Sequence, residues 1–159
     1  QSLSGLVIIS ASEGIGADWL PRALASFHHK NPGIGIEISI KNHPANLADR
    51  EADIALRWNG PGSQQSLVGR RGATVGAGLY ASKAYLERKG CPTRVEDRLA
   101  RQHRGVERVL PDFNSSLDLW VVAHETVRKS ARIRAAFDHI IEQMTADNAY
   151  FSRGAASVL

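Results

Sequence analysis

Cysteine is almost absent from this chain. Cys91 stands alone among 159 residues, so no intrachain disulfide can form and stability must come from a packed core. That usage suits a reducing compartment, and a cytoplasmic setting is expected. Cys91 lies in the turn Lys89-Gly90-Cys91-Pro92 with no second thiol to resolve it, so it reads as an ordinary surface or half-buried residue. Long hydrophobic runs are missing as well. The apolar content is 43%, yet no stretch is long enough to cross a bilayer as a helix. Gln1-Ser2-Leu3-Ser4-Gly5 also lacks the basic start, apolar core and small-residue cleavage site of a signal peptide. No membrane partner is expected.

The motifs of catalysis are missing too. There is no G-x-S-x-G elbow, no phosphate-binding lysine after Gly60-Pro61-Gly62, no H-E-x-x-H and no G-x-G-x-x-G after the first strand. An enzyme is not expected, nor is a cofactor. His28 and His29 are neighbours on a helix and point about 100° apart, so they cannot chelate one ion together. His103, His124 and His139 are isolated, and no metal is expected. Aromatic residues make up only 6% of the chain. None interleaves with the basic stretches Arg70-Arg71, Arg94 to Arg108 and Arg128 to Arg134, the longest of which is interleaved with acids. The net charge of +4 is therefore not organised as a nucleic-acid face.

What is present is a strand and helix rhythm that fits one good core or two small lobes at this length. Leu6 to Ser10 forms an apolar strand, and Ile34, Ile36, Ile38 and Ile40 alternate along a second. Asp53-Ile54-Ala55-Leu56 opens a third, with the composition of a buried parallel strand. Between the first two, Ile15, Trp19, Leu20, Leu24 and Phe27 share one face of a helix that stops at Asn31-Pro32-Gly33. Pro21 must sit near its first turn. Pro44 is read as opening a short helix over Ala45 to Glu51, which gives a β-α-β-α-β passage with right-handed parallel crossovers.

Farther on, Gly60 to Gln65 reads as a loop, and Leu67-Val68 and Thr74 to Tyr80 as extended. Ser82 caps a helix that ends near Lys89-Gly90, and Val95 to about Gln102 reads as a further helical stretch. Val106 to Leu110 and Leu117 to Ala123 are two more strands. Ile133, Phe137, Ile140, Ile141 and Met144 then make the stripe of a long amphipathic helix after Glu125-Thr126. Residues 149–159 read as a C-terminal tail that frays.

The order of several short strings is similar to that in the effector-binding domain of bacterial LysR-type transcriptional regulators. They are Gly5 to Ile9, Leu20-Pro21 with Leu24 and Phe27, Asn31-Pro32, Arg50 to Arg57, Leu79 to Ser82 with Tyr85-Leu86, and Val109 to Phe113. The resemblance implies an α/β, periplasmic-binding-protein-like regulatory domain with a mixed sheet flanked by helices. Residues 1–80 and 106–148 would form the first lobe and 81–105 a remnant of the second, because the segments that flank the second lobe in the family almost abut at His103 and Val106. It also implies a small, anionic effector, a homodimer or tetramer, and DNA contact only through a separate N-terminal domain. Two alternatives stand beside it: a solute-binding protein of periplasmic type, which shares the two-lobed fold, and a dimerising domain with no ligand.

In an open α/β sheet, ligands bind at the carboxyl ends of the strands. Ser12, with the amides of Gly14 and Ile15, could hold a carboxylate at a helix start, or Ser12 could be an ordinary cap. Asn42 and His43 end the second strand as ligand contacts or turn formers. Arg57, Trp58 and Asn59 end the third; Trp58 could line an apolar slot and Asn59 could donate, or they could be core and turn. The resemblance places subunit pairing on the first helix and second strand, at Asp18, Arg22, Ser26, Ile36 and Ile38.

Overall fold

The computed structural model describes residues 3–41, 43–63, 66–91, 106–110 and 115–152. Asn42, the helical stretch expected over 95–102, most of the supposed second-lobe remnant and the last residues of the tail lie outside them. The chain divides into two compact units, residues 1–73 with 118–148, and residues 74–117 with 149–159.

The larger unit is built on the expected parallel strands. β1 (Gly5–Ala11) pairs with β2 (Ile34–Ile40) in parallel along its whole length, from Gly5 opposite Ile34 to Ala11 opposite Ile40. On its other side it pairs in parallel with β3 (Ile54–Trp58) at Ile9 opposite Ile54. The sheet continues past β3 with two later strands, β4 (Leu67–Ala77) and β7 (Ser115–His124), in the order β2-β1-β3-β7-β4. β7 runs antiparallel to β3, with Ile54 opposite Ala123 and Trp58 opposite Leu119. The sheet is therefore mixed, and β2 is an edge strand.

Helix α1 (Leu20–Lys30) is entered through a wide π-helical turn, Ile15–Trp19. That turn accommodates the proline. Leu20 donates to the Ile15 carbonyl five residues back, so the α-helical register starts only there and Pro21 falls in its first turn, where a missing N–H does little harm. The buried stripe Leu20, Ala23, Leu24 and Phe27 packs against α3 (Ala131–Ala146), whose Ile133, Ala136, Phe137, Ile140, Ile141 and Met144 are all buried. Polar pins tie the two helices together. The Trp19 indole N–H donates to Asp147 Oδ2 at 2.8 Å, and His139 Nε2 lies 2.9 Å from the Ala23 carbonyl. Gly72 on β4 is held small by the same helix, since a Cβ there would collide with Met144 Sδ.

The opposite face of the sheet is covered by a turn-rich segment. Ala45, Leu47 and Ala52 pack on Ala55, Leu67 and Val122, with Ile8 and Trp120 at the margin. The helix expected over Ala45 to Glu51 is absent; residues 47–50 are a turn. Asn46 explains the difference. Its Oδ1 accepts from the amides of Ala48 and Asp49 and its side-chain Nδ2 donates to Asp49 Oδ2, while Arg50 takes a left-handed φ of 57°. Such side-chain closure competes with helix propagation in a segment this short.

In the smaller unit β5 (Leu79–Ser82) and β6 (Val106–Val109) form an antiparallel pair, and Leu79, Ala81 and Val109 bury against Tyr85, Leu86 and Leu110. α2 (Lys83–Lys89) begins as expected, with Ser82 Oγ accepting the Tyr85 amide at 3.2 Å. The start of the expected tail is helical. Asn148–Ser152 is a short helix, α4, with Phe151 buried, because an aromatic side chain gave this stretch something to bury. Among the described residues no helix is long and apolar enough to cross a membrane.

Candidate functional site

Because β1, β2 and β3 run parallel, their carboxyl ends meet at one edge. There they surround a cavity of about 290 Å³. β1 contributes Ser10, Ala11 and Ser12; the end of β2 contributes Lys41, followed by His43, Pro44 and Ala45; β3 contributes Ala55 to Trp58, with Gly60 and Gly62 beyond it. Ser10 is 5% exposed and Trp58 37%, so the floor offers a buried hydroxyl and the rim an indole face.

Of the site residues expected from the sequence, Ser12, His43, Arg57 and Trp58 come together here. Ile15 does not. Its side chain is core, and its N–H donates to the Ser12 carbonyl at 3.2 Å, as does that of Gly16 at 2.8 Å. Gly14 and Glu13 are exposed and outside the lining. Asn59 is a turn former: its φ is 61° and its amide donates to the Asp118 carbonyl at 2.8 Å. Asn42 lies outside the described residues.

Arg57 is a strut as much as a lining residue. Its Nη1 donates to the Pro61 carbonyl at 3.0 Å and its Nη2 to the Ala45 carbonyl at 2.7 Å, which fastens the loops on both sides of the cavity. Its Nε is buried with no hydrogen-bond partner. Burial pushes the guanidinium below its ordinary value, although arginine stays charged at any physiological pH.

Lys41 was not singled out from the sequence. Its amide donates to the Ala11 carbonyl at 3.1 Å, continuing the β1–β2 ladder, and its ammonium reaches Glu51 Oε2 at 3.1 Å. The signal was available, since Lys41 is the first residue after β2 on the same edge as Ser12. Glu51 itself is outside the lining. Its carboxyl is held below the ordinary glutamate range first by the hydrogen bond from the Asn46 amide and then by Lys41. Among the described residues the cavity wall thus carries Lys41, Arg57 and His43 and no carboxylate.

The residues expected at a subunit contact fall on one side of the sheet and its neighbouring helix. Asp18 and Arg22 are exposed and paired at 3.1 Å, Ser26 is exposed on α1, and Ile36 and Ile38 are half-buried on edge strand β2. Among the described residues no group of His, Cys, Asp or Glu could hold a metal ion.

Comparison with known proteins gives this geometry a family. An HTH-type transcriptional regulator of Xanthomonas campestris is 31% identical over 83 residues, which are 52% of this chain and 24% of that protein. The chain thus spans about a quarter of that relative's length. The regulatory domain of CrgA, a LysR-type regulator from Neisseria meningitidis, superposes with a TM-score of 0.76 at 16% identity, covering 89% of this chain and 100% of that one. The effector domain of AmpR from Pseudomonas aeruginosa gives 0.69 at 13% identity, covering 93% and 98%. The two structural likenesses show the fold, a periplasmic-binding-protein-like one. The model of the LysR substrate binding domain matches residues 1–102, and the chain belongs to that family.

Proposed function

We propose that this domain senses a small anionic metabolite at the carboxyl edge of β1, β2 and β3 and so controls DNA binding by a separate domain of a cytoplasmic regulator. One observation carries the reading: among the described residues the largely apolar cavity wall includes Lys41, Arg57 and two serine hydroxyls and no carboxylate. In a recess partly shielded from water such a wall favours an anion. Ser12 donates to the ligand's charged end, and Trp58 packs on its body. Binding shifts the population of the regulator's quaternary states.

A thermal-shift screen of small carboxylates and aromatic acids tests this. Ligands present at 100 times their Kd should stabilise the wild type by about 2.7 kcal/mol, and Ser12→Ala should lose most of that shift. Absence of any shift across the screen sinks the sensor reading in favour of a domain that binds nothing.

The same proposal places subunit pairing on α1 and β2. Supporting it, β2 is an edge strand of the sheet among the described residues, and Ile40 at its end is 47% exposed. Sedimentation equilibrium should find a dimer or tetramer for the wild type and a lower mass for Ile38→Asp. An unchanged mass would move the interface elsewhere.

A further inference from the structure

The cations that wall the cavity also hold one stretch of chain in place. Arg57 grips it at the Ala45 carbonyl, and Lys41 grips it through Glu51, whose Oε2 accepts the Lys41 ammonium at 3.1 Å and the Asn46 amide at 3.2 Å. The Glu51 amide returns a bond to the Asn46 carbonyl at 3.1 Å, so the 46–51 turn is closed from both ends. The Lys41 ammonium and both Nη groups of Arg57 are therefore already engaged.

The two cations differ in how they can respond. Arg57 is planar, partly buried and committed to carbonyls on two loops, so it supplies field but little movement. Lys41 is fixed only through its backbone, by the bond to Ala11, and its flexible stem carries a point charge whose partner lies outside the cavity. Its ion pair with Glu51 is half-exposed, the side chains being 32% and 43% accessible. Pairs of that kind are weak and easily exchanged.

We propose that Lys41 sets the cavity's selectivity for charge and that Glu51 is its built-in competitor. An entering anion takes the Lys41 ammonium that Glu51 otherwise holds, while a neutral ligand of the same shape leaves the pair intact. Affinity for anions is thereby set below what the bare wall would give, and occupancy by an anion removes the Lys41 tie on the 46–51 turn while the two Asn46–Glu51 bonds remain. The inference rests on the cavity being the ligand site.

The test is calorimetric titration with benzoate and with benzamide, its uncharged counterpart, on the wild type, Glu51→Gln, Lys41→Met and Lys41→Arg. Glutamine keeps an acceptor for the Asn46 amide and removes the charge. Glu51→Gln should bind benzoate about two- to fivefold more tightly, the range expected for loss of an exposed ion pair, with benzamide unchanged. Lys41→Met should lose the preference for benzoate over benzamide, and Lys41→Arg should keep it. If benzoate binds the wild type but Glu51→Gln leaves its affinity unchanged, lowers it, or shifts both probes equally, Glu51 is not a competitor and the proposal falls. Failure of both probes on all four proteins removes the ligand site itself, and this inference with it.

Discussion

At the amino edge of the larger unit's sheet, Arg50, Asp53, Thr126, Ser130 and Arg132 line a recess of about 220 Å³; at the carboxyl edge, Lys41, Arg57, Ser10 and Ser12 help line one of about 290 Å³. Both hold two long cationic side chains and two hydroxyl groups, yet the amino edge also contains a carboxylate, and its groups are sewn to the sheet. Asp53 Oδ2 accepts the Ile8 amide at 2.9 Å, while its own amide donates to the Ile8 carbonyl at 2.9 Å, so a side chain completes the ladder where β1 and β3 begin. Arg132 donates to the Leu6 carbonyl at 3.1 Å and to Ser130 Oγ at 3.3 Å. The same residue types therefore close strand ends at one edge and leave a cationic wall at the other. At the amino edge the counter-charge sits in the wall itself, whereas at the carboxyl edge Lys41 finds it in Glu51, outside the lining.

The comparison breaks most visibly at Asp53. Asp53→Ala strips a part-buried backbone amide of its acceptor and should cost about 1–3 kcal/mol of stability, read from the midpoint of urea unfolding. Its effect on benzoate affinity should be slight. A variant that unfolds normally but binds poorly would show that the amino edge is not merely structural.

Ser12→Ala is the counterpart at the carboxyl edge. Ser12 serves the helix start through its carbonyl, which alanine retains, so unfolding stability should stay within about 0.5 kcal/mol of wild type. A loss as large as that of Asp53→Ala would make Ser12 a cap rather than a contact and would erase the contrast between the edges.

How much of this contrast could be read beforehand differs from residue to residue. The parallel β1, β2 and β3 follow from apolar runs separated by crossovers, and the buried face of α3 is the stripe Ile133, Phe137, Ile140, Ile141 and Met144 seen in the sequence. Strand polarity alone brought Ser12 and Trp58 to one edge. The insertion of β7 beside β3 was hidden, because its partners are some sixty residues away in sequence and no local pattern encodes a long-range antiparallel register. Lys41, by contrast, is legible from its place just past β2. Turn-forming neighbours drew attention to Asn42, whereas the first residue past a strand keeps the ladder and points its side chain along the edge. The turn at 46–51 depends on one side chain, Asn46, whose competition with helical hydrogen bonds outweighs the helix start that Pro44 suggests.

The smallest effect concerns acid. Glu51 has its carboxyl lowered by the Asn46 amide and by Lys41; Asp53, at the other edge, is the contrast only as an acceptor. A carboxyl whose folded value lies below its unfolded one contributes stability that is fully present above the unfolded glutamate value, and that is lost as pH falls through the lowered folded value. Between pH 7 and pH 5 the wild type should therefore gain nothing from this group with changing pH, and the loss should begin only below the ordinary glutamate range. Glu51→Gln lacks the titrating group, so the difference in unfolding midpoint between wild type and variant should shrink as pH is lowered from 5 to 3 and stay flat above. Because the carboxyl is exposed, solvent and salt screen its pairing, and the slope should flatten further in 1 M sodium chloride. The Asn46 amide bond, which involves no second charge, should leave a residue of the effect at high salt. A difference that is flat throughout would mean that Glu51 does not hold Lys41 strongly enough to compete with an anion for it.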